Sequence, residues 1–254
     1  MSFVPMALAA TTDAPPVRTA ERLGLREMLG FAPTGVIGML LTGASHGIVL
    51  GLAAVYATEA GLNLQQLSAF VSAIFIGAII LQYPIGWLSD RMDRRLLIIA
   101  VSAVGVAGSV LGGMFGGQFT FLLVSAFTVG GMSNPLYSLL IAHANDFLDH
   151  DDMAAASGGM VFINGLGAVA GPIITGWLMD QVGPWGFYLF TATLFAALVI
   201  YAGWRATQRA PIPSDETGSY IAMSQTGTPV AMEIAQELAI ESDLEEEEEG
   251  DAAA

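Results

Sequence analysis

The sequence predicts an all-α membrane protein of six transmembrane helices, arranged as two inverted three-helix repeats. Three observations predict it. Long runs without a charged residue alternate with short polar turns, every arginine falls on one side of the resulting layout, and one short pattern recurs ninety residues on.

Composition sets the solvent. Of 254 residues, 54% are hydrophobic and only 12% charged, where soluble domains carry roughly 25%. A lipid bilayer is therefore the expected surrounding. The absence of cysteine excludes a disulfide framework and a thiolate metal site. The net charge of −15 misleads, because 12 of the 23 acidic residues lie between Asp215 and Asp251. With eight basic residues, all arginine and none forming a patch, nucleic acid is excluded as a partner.

Residues 1–27 form an entry region. Ser2 to Leu8 reads as the last turns of a preceding helix, since it lacks the basic flank and length of a signal peptide. Thr11 to Pro16 is a linker, and Arg18 to Glu27 is a charged approach. A six-span bundle occupies 28–204. A spanning helix needs about 20 predominantly apolar residues. The first span is placed at Thr34–Ala57, and Glu59 to Asn63 turns the chain into a second at Gln66–Leu88. Leu96 to Asn145 is free of charge and too long for one helix. Glycines at 112–113 and 116–117 divide it into Leu96–Phe115 and Phe119–His143. The fifth span is Ala154–Met179 and the sixth Trp185–Gly203. Residues 205–254 form an acidic tail, read as disordered; Val230, Ile234 and Leu238 share a face that would also suit a short docking helix.

With six spans, Arg18, Arg22, Arg26, Arg91, Arg94, Arg95, Arg205 and Arg209 all fall on one face. The positive-inside rule makes that face, and both termini, cytoplasmic. The recurring pattern is Gly86-Trp87-Leu88-x-Asp90, repeated as Gly176-Trp177-Leu178-x-Asp180. The copies end the second and fifth spans on opposite sides, as two three-helix units of inverted topology require.

Between two apolar runs, Gly86-Trp87-Leu88-Ser89-Asp90-Arg91-Met92-Asp93-Arg94-Arg95 resembles the signature loop of the major facilitator superfamily, Gly-x-Leu-Ser/Ala-Asp-Arg-x-Gly-Arg-Arg. Asp93 departs from the family's glycine. The fifth span, with Gly158, Gly167, Gly171, Pro172 and Gly176, resembles that family's Gly-x8-Gly-x3-Gly-Pro-x2-Gly-Gly helix, with Thr175 replacing one glycine. The resemblance implies a six-helix half of that fold, the C-terminal one given the helix end before Thr11. It also implies a gating latch at Gly86, Asp90, Arg91, Arg94 and Arg95. First and fourth spans would line a central cavity, second and fifth flank it, and third and sixth lie at the periphery. The glycines and Pro172 are read as sites of close helix packing.

Polar groups at membrane depth are costly and face a partner or a cavity. The candidates for contact with substrate or a coupling proton are Ser45, His46, Gln82, Asn134, Tyr137 and Asn164, with interhelical hydrogen bonding as the alternative role for the two asparagines. His46 is the one group deep in a span that titrates near neutral pH. Gly43-Ala44-Ser45-His46-Gly47 matches a nucleophile elbow, but that motif needs a strand-to-helix turn, so no catalytic residue is assigned. His143, His150 and the aspartates at 146, 149, 151 and 152 are read as an exposed acidic loop, not a metal site. No cofactor is implied.

The expected function is alternating-access transport of a small solute, with proton coupling as an option, in a bacterial cytoplasmic (inner) membrane. A second six-helix bundle, on another chain or a second copy, would complete it. The competing expectation is a non-transporting assembly subunit or remnant that recruits a partner through its acidic tail.

Overall fold

The computed structural model describes residues 25–147 and 150–208. The helix end expected before Thr11, most of the charged approach and the acidic tail with its Val230 face lie outside them. Among the described residues there are seven α-helices and no strand: α1 Leu25–Phe31, α2 Pro33–Glu59, α3 Leu64–Ser89, α4 Arg94–Phe115, α5 Phe119–Asn145, α6 His150–Val182 and α7 Trp185–Ala206. Helices α2 to α7 are the six spans, each long and apolar enough to cross a membrane. A helix of 27 residues such as α2 is about 40 Å long at 1.5 Å per residue. It crosses a core of about 30 Å with a turn to spare at each end.

The turns follow from local chemistry. Pro33 opens α2 at a position that needs no N–H. At its other end Gly61 adopts φ +76, and Leu62 N–H donates to the Ala57 carbonyl at 3.0 Å, closing a left-handed cap. Asn63 then begins α3 with a reciprocal capping box: its side chain accepts from Gln66 N–H at 2.9 Å, and its own N–H donates to Gln66 Oε1 at 3.1 Å. Gly183, at φ +79, makes the tight turn into α7.

Packing shows the repeat directly. Helix α2 packs most extensively on α6, and α3 on α5; α4 packs on α7. Exchanging the first three spans with the last three turns the first two of these pairings into each other and the third into itself. The close contacts obey the same exchange. Gly43 lies against the Asn164 carbonyl and Gly167 against that of Leu40, so any Cβ at either glycine would overlap backbone. Gly130 lies in the same way against the Ile74 carbonyl, and Gly77 against that of Phe127. A shift of 87 residues carries Leu40 to Phe127 and Gly43 to Gly130, and a shift of 90 carries Ile74 to Asn164 and Gly77 to Gly167. Without a hydrophobic force between helices in lipid, such backbone-to-backbone approach is what holds them together.

Gly47 and Gly171 extend the α2–α6 contact, against the carbonyls of Ala168 and Ala44. Pro172 cannot donate to Ala168, four residues back, so the carbonyl that it frees is the one that Gly47 leaves room to cover. A side chain at Gly158 or Gly176 would meet nothing within 4 Å. The close packing expected at those two positions is therefore not made within this bundle, whereas Gly167 and Gly171 do sit at a helix crossing.

At the end remote from the arginines, Tyr56 stacks on Phe187 with ring centres 4.9 Å apart and meets Phe70 at 5.4 Å. This aromatic cluster fills the bundle there. Helices α3 and α6 are the least covered: 17% and 28% of their most apolar windows are buried, against 56% for α2 and α5. The two helices related by the repeat thus share one exposure, with Ile79, Ile80 and Tyr83 exposed along α3 and Phe162, Val169 and Ile173 along α6.

Candidate functional site

Two groups of polar residues stand out, one at mid-membrane and one at the arginine-bearing end. The first is a belt across three helices. Ser45 lies one residue from the middle of α2 and is fully buried; Ser133, next to the middle of α5, donates to Ser45 Oγ at 3.4 Å. Asn134, the next residue of α5, donates through Nδ2 to Gln82 Oε1 of α3 at 2.8 Å. The sequence candidates Ser45, Gln82 and Asn134 are thereby joined, with Ser133 as the link that sequence reading did not single out. Pro135 follows Asn134 and removes an N–H from the α5 ladder beside the belt.

His46 adjoins Ser45, and its Nε2 is buried with no hydrogen-bond partner among the described residues. Buried polar atoms are nearly always paired, so such an atom at mid-membrane calls for a guest or a water. Tyr137 lies one turn along α5 from Ser133 and is 1% exposed, buried in the core. Asn164 stands apart. Its Nδ2 donates to the Met39 carbonyl at 3.2 Å, so it cross-links α6 to α2. Met39 is six residues from Ser45, about 9 Å along the helix axis. The interhelical role is the one that Asn164 occupies.

The second group is the hairpin between α3 and α4. Asp93 has φ −53, a value open to any residue, and its side chain accepts from Arg95 N–H at 2.9 Å as the N-cap of α4. That is the physical reason an aspartate stands where the resembled loop has glycine: the turn needs no left-handed residue, and the helix gains a cap. Arg94 is buried at 3% exposure. Its Nε donates to Ser89 Oγ at 3.2 Å and its Nη1 to the Ala142 carbonyl at 3.4 Å, and its guanidinium is ion-paired with Asp146. Asp146, itself 4% exposed, is the C-cap of α5.

Asp90, one of the expected latch residues, is ion-paired with Arg94 at 3.9 Å, its side chain 43% exposed. The structure corrects the reading of Asp146: expected in an exposed acidic loop, it forms the buried pair with Arg94. The others are arranged around it. Arg91 donates to the Trp87 carbonyl at 3.1 Å and lies 4.2 Å over the Trp87 ring. Arg95 pairs with Asp93 at 3.2 Å. Gly86 is buried in the last turn of α3. Among the described residues no three His, Asp or Glu side chains converge as a metal site. His143 packs edge-on against Phe147, with ring centres 5.2 Å apart.

These features agree with comparisons to known proteins. The family model described as Major Facilitator Superfamily matches residues 3–232. An uncharacterised MFS-type transporter of Bacillus subtilis, YfkF, is 29% identical over 170 residues, covering 65% of this chain and 41% of that protein. An uncharacterised MFS-type transporter of Yersinia pestis is 25% identical over 169 residues, covering 66% and 42%. Among solved structures, an auto-inhibited POT family peptide transporter superposes with a TM-score of 0.60 at 14% identity, over 78% of this chain and 39% of the other. The POT family transporter PepTSo superposes with a TM-score of 0.53 at 16% identity, over 72% and 39%. At such identities the superpositions speak for the fold alone. The chain spans about two fifths of the length of the relatives it matches. With its six spans, their paired packing and a match over nearly its whole length, the chain belongs to the Major Facilitator Superfamily.

Proposed function

We propose that this chain is one six-helix half of a solute transporter that works by alternating access against a second six-helix bundle. The observation that carries the proposal is the mid-membrane belt of Ser45, Ser133, Asn134 and Gln82, with His46 Nε2 unpartnered beside it. Polar side chains at this depth are rare unless they serve a pathway or a partner. The belt couples α2 and α5, the central helices, to α3, one of the two least covered. Movement of a facing bundle across α3 and α6 would expose the belt to one side of the membrane and then the other.

In this reading the buried Arg94–Asp146 pair is the latch. It ties the start of α4 to the end of α5 at one surface, so breaking it loosens that end selectively. The one-sided distribution of the arginines supports a cytoplasmic position for this surface, and the bacterial relatives support an inner membrane. His46 carries substrate contact or the coupling proton, and Asn134 with Gln82 supplies amide donors and acceptors to a polar solute. The reading is compatible with two sources for the second bundle: another chain or a second copy.

The absence of cysteine makes the test direct, since single-cysteine variants report without background. Tyr83→Cys on α3 and Ile173→Cys on α6 are examined in native membranes with a maleimide that carries a benzophenone, which on illumination inserts into C–H bonds of whatever lies against it and needs no thiol on the partner. Cross-linking of both positions to a six-span partner, or to a second copy, is expected. Both positions remaining uncross-linked and open to a lipid-soluble maleimide would refute the two-bundle reading. Flux screening in vesicles containing the cross-linkable pair then identifies the solute.

A further inference from the structure

The hairpin end of the bundle holds a second basic feature that the latch does not use. A cleft is lined by Arg95 at the start of α4, His143 and Phe147 at the end of α5, Arg205 at the end of α7, and Phe31 and Thr34 at the α1–α2 junction. Four helix ends separated widely in sequence thus meet around two guanidinium groups and an imidazole. We infer that this cleft is a binding site for the phosphate headgroup of an anionic phospholipid.

The charge balance favours an anion. Arg94 has Asp146, and Arg95 shares Asp93. Arg205 has no carboxylate within salt-bridge distance among the described residues; its guanidinium lies 5.9 Å from the centre of the Trp204 ring. Arg205 therefore brings an uncompensated positive charge into a cleft that already holds Arg95 and the nearly buried His143. No side chain caps the start of α2, where Ala32 occupies the capping position, so the positive end of that helix adds to the same field.

The lining favours a lipid over a free ion. Phe31, 46% exposed, and Phe147 flank the basic groups, giving an apolar wall beside a cationic floor. That is the profile of a headgroup and its first glycerol carbons. Trp204, 56% exposed in the last turn of α7, is placed as interfacial tryptophans are. Basic pockets between helix ends take anionic headgroups, each nearby arginine being worth roughly a five-fold change in affinity. A lipid there would bridge α2, α4, α5 and α7 and stiffen the surface that carries the latch. The inference draws on the proposed cytoplasmic placement only for which leaflet supplies the lipid. Binding itself is measured in micelles, where orientation plays no part.

The full chain is purified in a neutral detergent and its thermal unfolding followed with added phosphatidylglycerol, phosphatidylcholine or inorganic phosphate. Phosphatidylglycerol is expected to stabilise the protein where phosphatidylcholine does not. Arg205→Gln should weaken the response about five-fold in lipid concentration, and Arg205→Lys should restore most of it. Equal protection by phosphatidylcholine, or an unchanged response in Arg205→Gln, overturns the proposal. So does protection by inorganic phosphate alone at matched concentration, which would make the site one for a free anion. Protection that emerges only when Glu245 to Glu249 are replaced by glutamine would give the cleft to the chain's own acidic tail and equally overturn it.

Discussion

Removing the Asp146 carboxylate should be the most damaging single change at the hairpin end. Its side chain and that of Arg94 are 4% and 3% exposed, so the pair is screened from water on both sides. Taking away one member of a buried pair leaves an unmatched charge, which costs about 3–5 kcal/mol. The Ser89 hydroxyl and the Ala142 carbonyl still accept from Arg94 in Asp146→Ala, but neither carries a charge to offset it. Asp90 is 43% exposed and 3.9 Å away, so Asp90→Ala should cost less than about 1 kcal/mol. Unfolding by sodium dodecyl sulfate in mixed micelles, followed by circular dichroism, measures both variants. A double-mutant cycle with Arg94→Gln should give a coupling of at least about 2 kcal/mol to Asp146 and less than about 0.5 kcal/mol to Asp90. A larger loss in Asp90→Ala than in Asp146→Ala would refute the assignment, and with it the identity of the latch.

Three further outcomes follow from named contacts. Gly47→Val forces side-chain atoms into the Ala168 carbonyl and should cost about 3 kcal/mol or prevent folding, while Gly176→Ala meets open space and should be neutral or stabilising by about 0.5 kcal/mol in the same unfolding assay. His46→Ala should insert normally but lower solute flux about ten-fold, the worth of one good polar contact; unchanged flux in reconstituted vesicles would give His46 a structural role. Reporter fusions after Gly203 and within Glu59–Asn63 should report opposite sides of the membrane, and a shared side would contradict the six-span layout.

The spans were legible because the bilayer writes its thickness into the sequence. Charge-free runs such as Leu96 to Asn145 leave little choice of element, and the glycines at 116 and 117 mark where α4 gives way to α5. Partners were harder to read. Asp146 sits among Asp149, Asp151 and Asp152, and local composition makes all four look solvated; Asp146 is buried by Arg94, which arrives from 52 residues away. Ser133 carries no signal of its own, because a hydroxyl in an apolar run usually bonds back to its own helix, as Ser109 and Thr175 do here. Asp93 carried a usable signal: an aspartate just before Arg94 and Arg95 at a helix start is a cap, and only comparison with a glycine-bearing loop made it look anomalous. The two faces of α6 show the opposite failing, since Gly167 and Gly158 look alike in sequence while only the first meets another helix.

The repeat separates scaffold from site. Positions that lock the helices together recur under the shifts of 87 and 90 residues: Gly43 with Gly130, Gly77 with Gly167. The same shifts set His46 against Ser133, Gly47 against Asn134, and Gln82 against Pro172. Each of those pairs differs in chemistry, although the backbones they stand on are equivalent. The hairpin behaves in the same way, with Asp90 and Asp180 matched while Arg94 faces Pro184 across the repeat. If packing alone governed the belt, its polar groups would be free to recur as the glycines do. In two of the three pairs the polar group stands on one member only, Asn134 against Gly47 and Gln82 against Pro172, and in the third a different polar group, Ser133, answers His46; α3 and α5 thus carry the amides, α2 the imidazole, and the charged Arg94–Asp146 pair lies at one surface only. Under the proposed alternating-access reading such a bundle would be symmetric enough to rock about a centre, and asymmetric where a solute and the latch are to be recognised.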